Sequence, residues 1–227
     1  DIDASATSEW NDGKGFDPVG QYNERFTGSF DGSNYSIAGL TIDRAGGAGL
    51  FGYIDDATVE NVRLVNVSIS GGNVVGGLVA NNYGNVTRSY VTGNVSGGPL
   101  YVGGLVGDNQ GTVSESYATG DVSGKDSEDT DYVGGLVGRN QDTVSESYAT
   151  GNISGTYHIG GLVGQNTGSV GTSYATGNVS GQNNIGGLIG ENQGTVSESY
   201  AVGSVSGTSL TGGLVGDGTS GTVDTSY

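Results

Sequence analysis

The sequence predicts an all-β fold: a single-stranded parallel β-helix (β-solenoid) with three short strands and about 26 residues per coil. Two observations carry this. Gly-Gly-Leu-Val/Ile begins at Gly76, Gly103, Gly134, Gly160, Gly186 and Gly212, at steps of 27, 31, 26, 26 and 26 residues. Between these copies lie short β-branched and aromatic runs broken by Gly, Asn and Asp, a composition that favours strands and tight corners. Two-helix repeats run about 33 residues or more and are rich in Ala, Leu, Glu and Lys, and a propeller blade needs about 40 residues and four longer strands.

Residues 1–45 read as an N-terminal cap and first coil. They hold the one Trp of the chain. Trp10, Phe16, Phe26 and Phe30 are expected to form the cap core, because an open coil exposes strand edges. Residues 46–227 read as the repeat array, opening on the looser copy Ala48-Gly49-Leu50-Phe51-Gly52 and ending at Tyr227 inside a repeat, as a truncated segment would. Each unit has three runs: Val-Gly-Gly-Leu-Val, Thr-Val-Ser-x-Ser-Tyr-Ala-Thr and x-Val-Ser. Corners are expected at the Gly, Asn and Asp residues that separate them, where positive φ is tolerated.

Stacked coils put like residues over like. The Asn column is Asn82, Asn109, Asn140, Asn166 and Asn192, expected at a tight corner with amides bonded along the axis. The Ser column is Ser89, Ser116, Ser147, Ser173 and Ser199, continued by Ser226. The Tyr column is Tyr90, Tyr117, Tyr148, Tyr174 and Tyr200, continued by Tyr227. Aligning Val59 with Val113 places Arg63 in the Tyr column, Val62 in the Ser column and Leu64 in the Ala column that follows. An Arg does not point into an apolar core. By alternation Ser and Ala therefore face in and Tyr faces out, giving an external tyrosine ladder over a thin core of Val, Leu, Ala and Ser with no room for inward aromatics.

The chain has 227 residues, with 24 acids against 7 Lys and Arg, a net charge of −17 and no Cys. Phosphates repel such a surface, which excludes a nucleic-acid binder. No apolar run reaches the ~18 residues of a membrane span, so no membrane insertion is expected in this segment. Two readings fit the charge: adaptation to high salt, which screens like charges, or an ordinary acidic secreted protein. Without Cys there is no disulfide framework.

Gly-Gly-Leu-Val-Gly-x-Asn followed by Gly-Thr-Val-Ser-x-Ser-Tyr-Ala-Thr-Gly-x-Val-Ser-Gly resembles the GLUG repeat, over nearly the whole chain. The resemblance implies a secreted or surface-attached protein of bacteria or archaea, of the kind found in adhesin-like proteins and in non-catalytic parts of immunoglobulin A peptidases. The acid-rich, Lys-poor version here resembles a haloarchaeal one. The family offers no catalytic residues to carry over. Departures are Ala80 for Gly, Gly171 for Ser, and a long copy between Gly107 and Gly134.

Enzymatic motifs are missing. One His, His158, cannot make a His-Glu-x-x-His zinc site and is expected in a solvated loop beside Tyr157. No phosphate loop and no Gly-x-Ser-x-Gly elbow occurs. Glu115 and Glu146 share a column one strand spacing apart, close to the ~5 Å of a retaining glycosidase pair, but that column varies as an exposed face does. The chain therefore reads as a non-enzymatic structural stalk or adhesion module, extracellular or on the cell surface. Its partners would be a cell-surface or matrix protein or glycan, and further repeats or domains of the same chain. No cofactor is expected. The alternative is a carbohydrate-binding or carbohydrate-active solenoid that uses the Tyr ladder or the acidic face. Asp126, Glu128, Asp129 and Asp131 form an insertion able to offer oxygen to Ca²⁺, although EF-hand spacing is lacking and a solvated acidic loop is the simpler account. Arg88 with Glu115, and Asp108 with Arg139, are expected as exposed cross-coil pairs that set register. Sequons at Asn34, Asn66, Asn85, Asn94, Asn152 and Asn178 would admit N-glycans.

Overall fold

The computed structural model describes residues 1–125 and 131–227. It is a parallel β-solenoid of about seven turns and about 27 residues per turn, opened by a 3-10 turn at Ser5–Glu9. Three sheets run along the axis. In one regular coil, Tyr101–Gly103 lies in the first sheet. Val106–Asn109 and Thr112–Ser114 lie in the second, and Tyr117–Ala118 and Val122–Gly124 in the third. The next coil pairs in parallel, like over like: Tyr101 with Tyr132, Val106 with Val137, Val113 with Val144, Tyr117 with Tyr148 and Val122 with Ile153.

The corners fall elsewhere than expected. Two of the three lie inside the sequence runs. The first is at Gly104-Leu105, between the first and second sheets. A Cβ on Gly104 would strike the Gly135 carbonyl and approach the Ala118 methyl to 2.8 Å, so Gly and the small Ala column fit each other. The second is at Glu115, which sits at φ 49° between Thr112–Ser114 and Tyr117–Ala118. Its column repeats that left-handed conformation at Arg88, Glu146, Thr172, Glu198 and Thr225. The Asn column marks a bend within the second sheet rather than a corner between sheets, since strands on both sides of Asn109 belong to one sheet.

The core is a set of apolar columns. Val75, Val102, Val133, Ile159 and Ile185 are fully buried, as are Leu78, Leu105, Leu136, Leu162 and Leu188. A further column, Val79, Val106, Val137, Val163 and Ile189, is buried too. Strict alternation misses it: Leu105 and Val106 are consecutive, and both face inward because the chain turns beside them. The first coils are less regular. Phe51–Glu60, Arg63–Gly71, Val79–Thr87 and Tyr90–Gly97 are long strands, with register shifts between Asp55 and Thr58 and between Leu64 and Val67.

Two expectations for the N-terminal end need correction. Phe51 is buried inside the tube, with Phe26 and Phe30 at 5.2 and 5.4 Å between ring centroids, so an inward aromatic is accommodated there. Trp10 is half exposed and touches Phe16 at the edge of the cap (6.4 Å) instead of filling its centre.

Candidate functional site

Two polar columns run inside the tube. Asn82, Asn109, Asn140, Asn166 and Asn192 are buried. The Nδ2 of each of the first four donates to the Oδ1 of the next Asn, at 2.6, 2.8, 2.9 and 2.8 Å in turn. Asn109 also donates to the carbonyls of Gly111 and Thr143. At the bend the amides add a second donor to carbonyls such as that of Gly111, which also accepts the Thr143 N–H, and they tie each coil to the next. The buried Ser column works similarly at the left-handed corner. Ser116 Oγ accepts the amide N–H of Ser89 at 3.1 Å and donates to the Ser114 carbonyl at 2.7 Å. Ser147, Ser173 and Ser199 repeat the pattern.

The Tyr column lies outside. Tyr90, Tyr117, Tyr148, Tyr174 and Tyr200 are half-buried, with ring centroids 4.7, 4.6, 4.9 and 5.0 Å apart and planes within 9° of parallel; Tyr227 follows at 5.9 Å. Parallel rings this close overlap face to face. Ring faces are therefore spent on neighbouring rings, and solvent meets a row of edges. At the N-terminal end the Arg63 guanidinium lies 6.0 Å from the Tyr90 ring centre. Burial raises the phenol pKa of Tyr117, Tyr148 and Tyr174, and the adjacent phenols add to it.

The other candidate residues separate. Glu115 and Glu146 stand at exposed left-handed corners. Glu115 approaches Arg88 at 3.8 Å, while Arg88 is bound more closely by Glu60. Of the acidic insertion, Asp126, Glu128 and Asp129 lie outside the described residues. Asp131 is neither a solvated loop residue nor an open metal ligand. It is fully buried, and its carboxylate accepts the backbone N–H groups of Thr156 (3.1 Å) and Tyr157 (3.2 Å). No group of three or more His, Cys, Asp or Glu able to hold a metal occurs among the described residues.

A second seam runs along the outer face, of which the sequence indicated only the Asp108–Arg139 pair. Asp108 is buried, not exposed, and takes Arg139 in two bonds of 2.8 Å. Arg139 also lies 4.1 Å over the Tyr101 ring. One coil on, Tyr132 stacks against His158 at 4.5 Å, and His158 Nε2 lies 3.7 Å from Glu191. His158 is thus on the strand Tyr157–Gly160 and mostly buried, contrary to a solvated loop, and its Nδ1 has no partner. Burial lowers its pKa against the opposing pull of Glu191, Asp131 and Asp217. The signal was available: Tyr101, Tyr132, His158 and Asn184 each stand two residues before a Gly-Gly or its equivalent.

Comparison with known proteins agrees with this architecture. The GLUG motif model matches residues 98–123, 129–154 and 155–180. Halomucin of Haloquadratum walsbyi is 49% identical over 105 residues, which is 43% of this chain and 1% of that protein. A protein of Evansella cellulosilytica, provisionally named a Gly-rich membrane protein, is 41% identical over 90 residues, 37% of this chain and 10% of the other. The chain thus spans a small fraction of these relatives. The crystal structure of a Bacteroides ovatus protein, provisionally named an immunoglobulin A1 protease, superposes with a TM-score of 0.60 at 19% identity. The match covers 92% of this chain and 69% of that one, and shows the shared fold. No helix among the described residues is long and apolar enough to cross a membrane. Together the repeats and their stacking make this chain a β-solenoid, three of whose coils, within residues 98–180, match the GLUG motif.

Proposed function

We propose that the chain is a non-enzymatic stalk module of an extracellular or cell-surface protein, which holds adhesive parts away from the cell. The observation that carries this is continuity. Buried Asn and Ser ladders and an outer Tyr stack tie every regular coil to the next, so the array behaves as one stiff rod of some 35 Å at ~4.8 Å per coil. The names of the halomucin and Gly-rich membrane relatives support a place at the surface. The excess of acids, of which Asp108 and Asp131 are the buried ones among the described residues, supports work in concentrated salt, where repulsion is screened. Its partners are surface or matrix proteins or glycans and further repeats or domains of the same chain; nucleic acid is not among them. No cofactor, calcium included, is needed.

A sugar platform on the Tyr ladder has less support, because stacking on a sugar requires free ring faces and these rings cover each other's. Glu115 and Glu146 stand exposed at corners, and Glu115 faces Arg88 instead of a second free carboxylate. Immunogold labelling of intact cells, with X-ray scattering of the purified chain in high salt, tests the proposal. Surface label and a rod-like profile are expected. Label confined to the cell interior, or turnover of a glycan or peptide by the purified chain, would overturn it.

A further inference from the structure

A cleft opens among residues 14–22, 43–47 and 52–53, beside the first strands. Its volume is about 600 Å³, within the ~300–1,000 Å³ of small-molecule sites. The segment around Val19 lies directly on the strand Phe51–Glu60: Val19 N–H donates to the Leu50 carbonyl (2.9 Å), and Gly52 N–H to that of Val19 (2.8 Å). Gly20 is at φ 76°, and a Cβ there would strike the Tyr53 carbonyl; a Cβ on Gly52 would strike that of Gly20. Glycine at both positions lets the two backbones close one wall of the cleft.

The rim is prearranged. Gln21 and Glu24 exchange two backbone bonds of 3.0 Å, closing a tight turn with Tyr22 at its tip. Tyr22 is 66% exposed. It packs edge-on to Tyr53 at 5.8 Å and 78°, and the Arg25 guanidinium lies 5.5 Å from its ring centre. Arg25 is anchored by Asp55 (3.2 Å) and by the Tyr22 carbonyl (3.3 Å). Tyr22 thus combines a held position with open ring surface, which the ladder rings lack.

The polar lining is balanced. Arg44 donates through Nη2 to Asp17 (2.7 Å) and to the Gly15 carbonyl (3.2 Å), while its Nε has no acceptor. Lys14 is in no ion pair among the described residues. Asp17 and Asp43 supply two carboxylates, and the Lys14 carbonyl takes the Asp43 N–H at 2.8 Å. Two cations and two anions in one cleft select no net charge. They offer donors and acceptors side by side, next to an aromatic surface. That combination suits a ring with hydroxyls around its rim and C–H bonds on its faces.

We infer that this cap cleft binds an uncharged oligosaccharide, with a pyranose ring on Tyr22 and hydroxyls bonded to Lys14, Asp17, Asp43 and Arg44. The rod then carries its own adhesive site, at a place distinct from the ladder.

The test is calorimetric titration of the whole chain in high salt with maltotetraose, cellotetraose, mannotetraose and the tetramer of N-acetylglucosamine, beside a uronate tetramer and an acidic peptide. Binding of at least one neutral tetramer is expected. Tyr22→Ala weakens it about tenfold or more; Asp43→Asn weakens it several-fold, and Tyr148→Ala in the ladder leaves it unchanged. The inference is overturned if no neutral tetramer binds, or if only the uronate or the peptide does. It is equally overturned if Tyr22→Ala and Asp43→Asn both bind as the parent does, or if Tyr148→Ala abolishes binding. Melting temperatures of the variants establish that each is folded, and Asp43→Asn carries the test should Tyr22→Ala unfold.

Discussion

The regular coils and the N-terminal cap solve one problem with different means. In the array, every coil meets a copy of itself, so a side chain that can bond to its own kind is useful at each level. Asn amides and Tyr rings do this, Ser hydroxyls accept the backbone N–H of the Ser in the adjacent coil, and each recurs in every regular coil. The cap, residues 1–45, holds no regular copy of the repeat. It is built from single-use residues: Phe26 and Phe30 on Phe51, Arg25 among three tyrosines, Gly20 against Tyr53. Repetition gives strength along the axis with little variety. The cap gives up repetition and gains a concave surface.

The comparison breaks most clearly in the buried groups. Phe51→Ala is expected to destabilise by about 3–5 kcal/mol, since it removes the largest fully buried side chain and the surface on which two cap rings rest. Its effect should be confined to the cap coils, as hydrogen exchange would register. Asn140→Leu should cost about 2–4 kcal/mol in urea unfolding, because it leaves the buried Oδ1 of Asn166 without its donor and takes an acceptor from the Nδ2 of Asn109. Loss of protection should spread to both adjacent coils. A cost below about 0.5 kcal/mol would show that the ladder is incidental.

Smaller effects sharpen the contrast. Tyr148→Ala removes two stacking contacts and should cost about 1–2 kcal/mol. The final coil has Val202, Leu210, Val223 and Tyr227 exposed, so its amides should exchange well before those of the coil at Tyr117. The smallest change concerns His158. Its native pKa lies below the ordinary value of ~6.5, so the unfolded chain takes up the proton first as pH falls. Its contribution is whole above pH ~6.5 and is lost as pH drops from there through the native pKa. His158→Asn should flatten that acid-side decline without loss at neutral pH. His158 is at φ 46°, and Asn184, at φ 56°, occupies the same column one coil on. An unaltered stability–pH profile would refute the assignment.

Much of the array was legible because repetition turns one sequence into an alignment of itself. Arg63 opposite Tyr90 was enough to decide which face is outside. Asp108 illustrates what was not legible. In the sequence it reads as one half of an exposed pair with Arg139. Its burial depends on Arg139 of the next coil, which bonds to it and lies over the Tyr101 ring in the coil of Asp108. His158 and Asp131 moved from solvent to the interior for the same reason, as the strand spacing put Tyr132 and the amides of Thr156 and Tyr157 against them.

By itself the sequence determined the coil length, the parallel stacking of like on like, and the outward ladder, because these follow from spacing and alternation, which are properties of the chain alone. Tertiary structure decided where the corners fall and which ring faces stay free. It also decided that a cleft opens beside Tyr22. These depend on distances between residues far apart in the chain, and no periodicity encodes a distance across the fold.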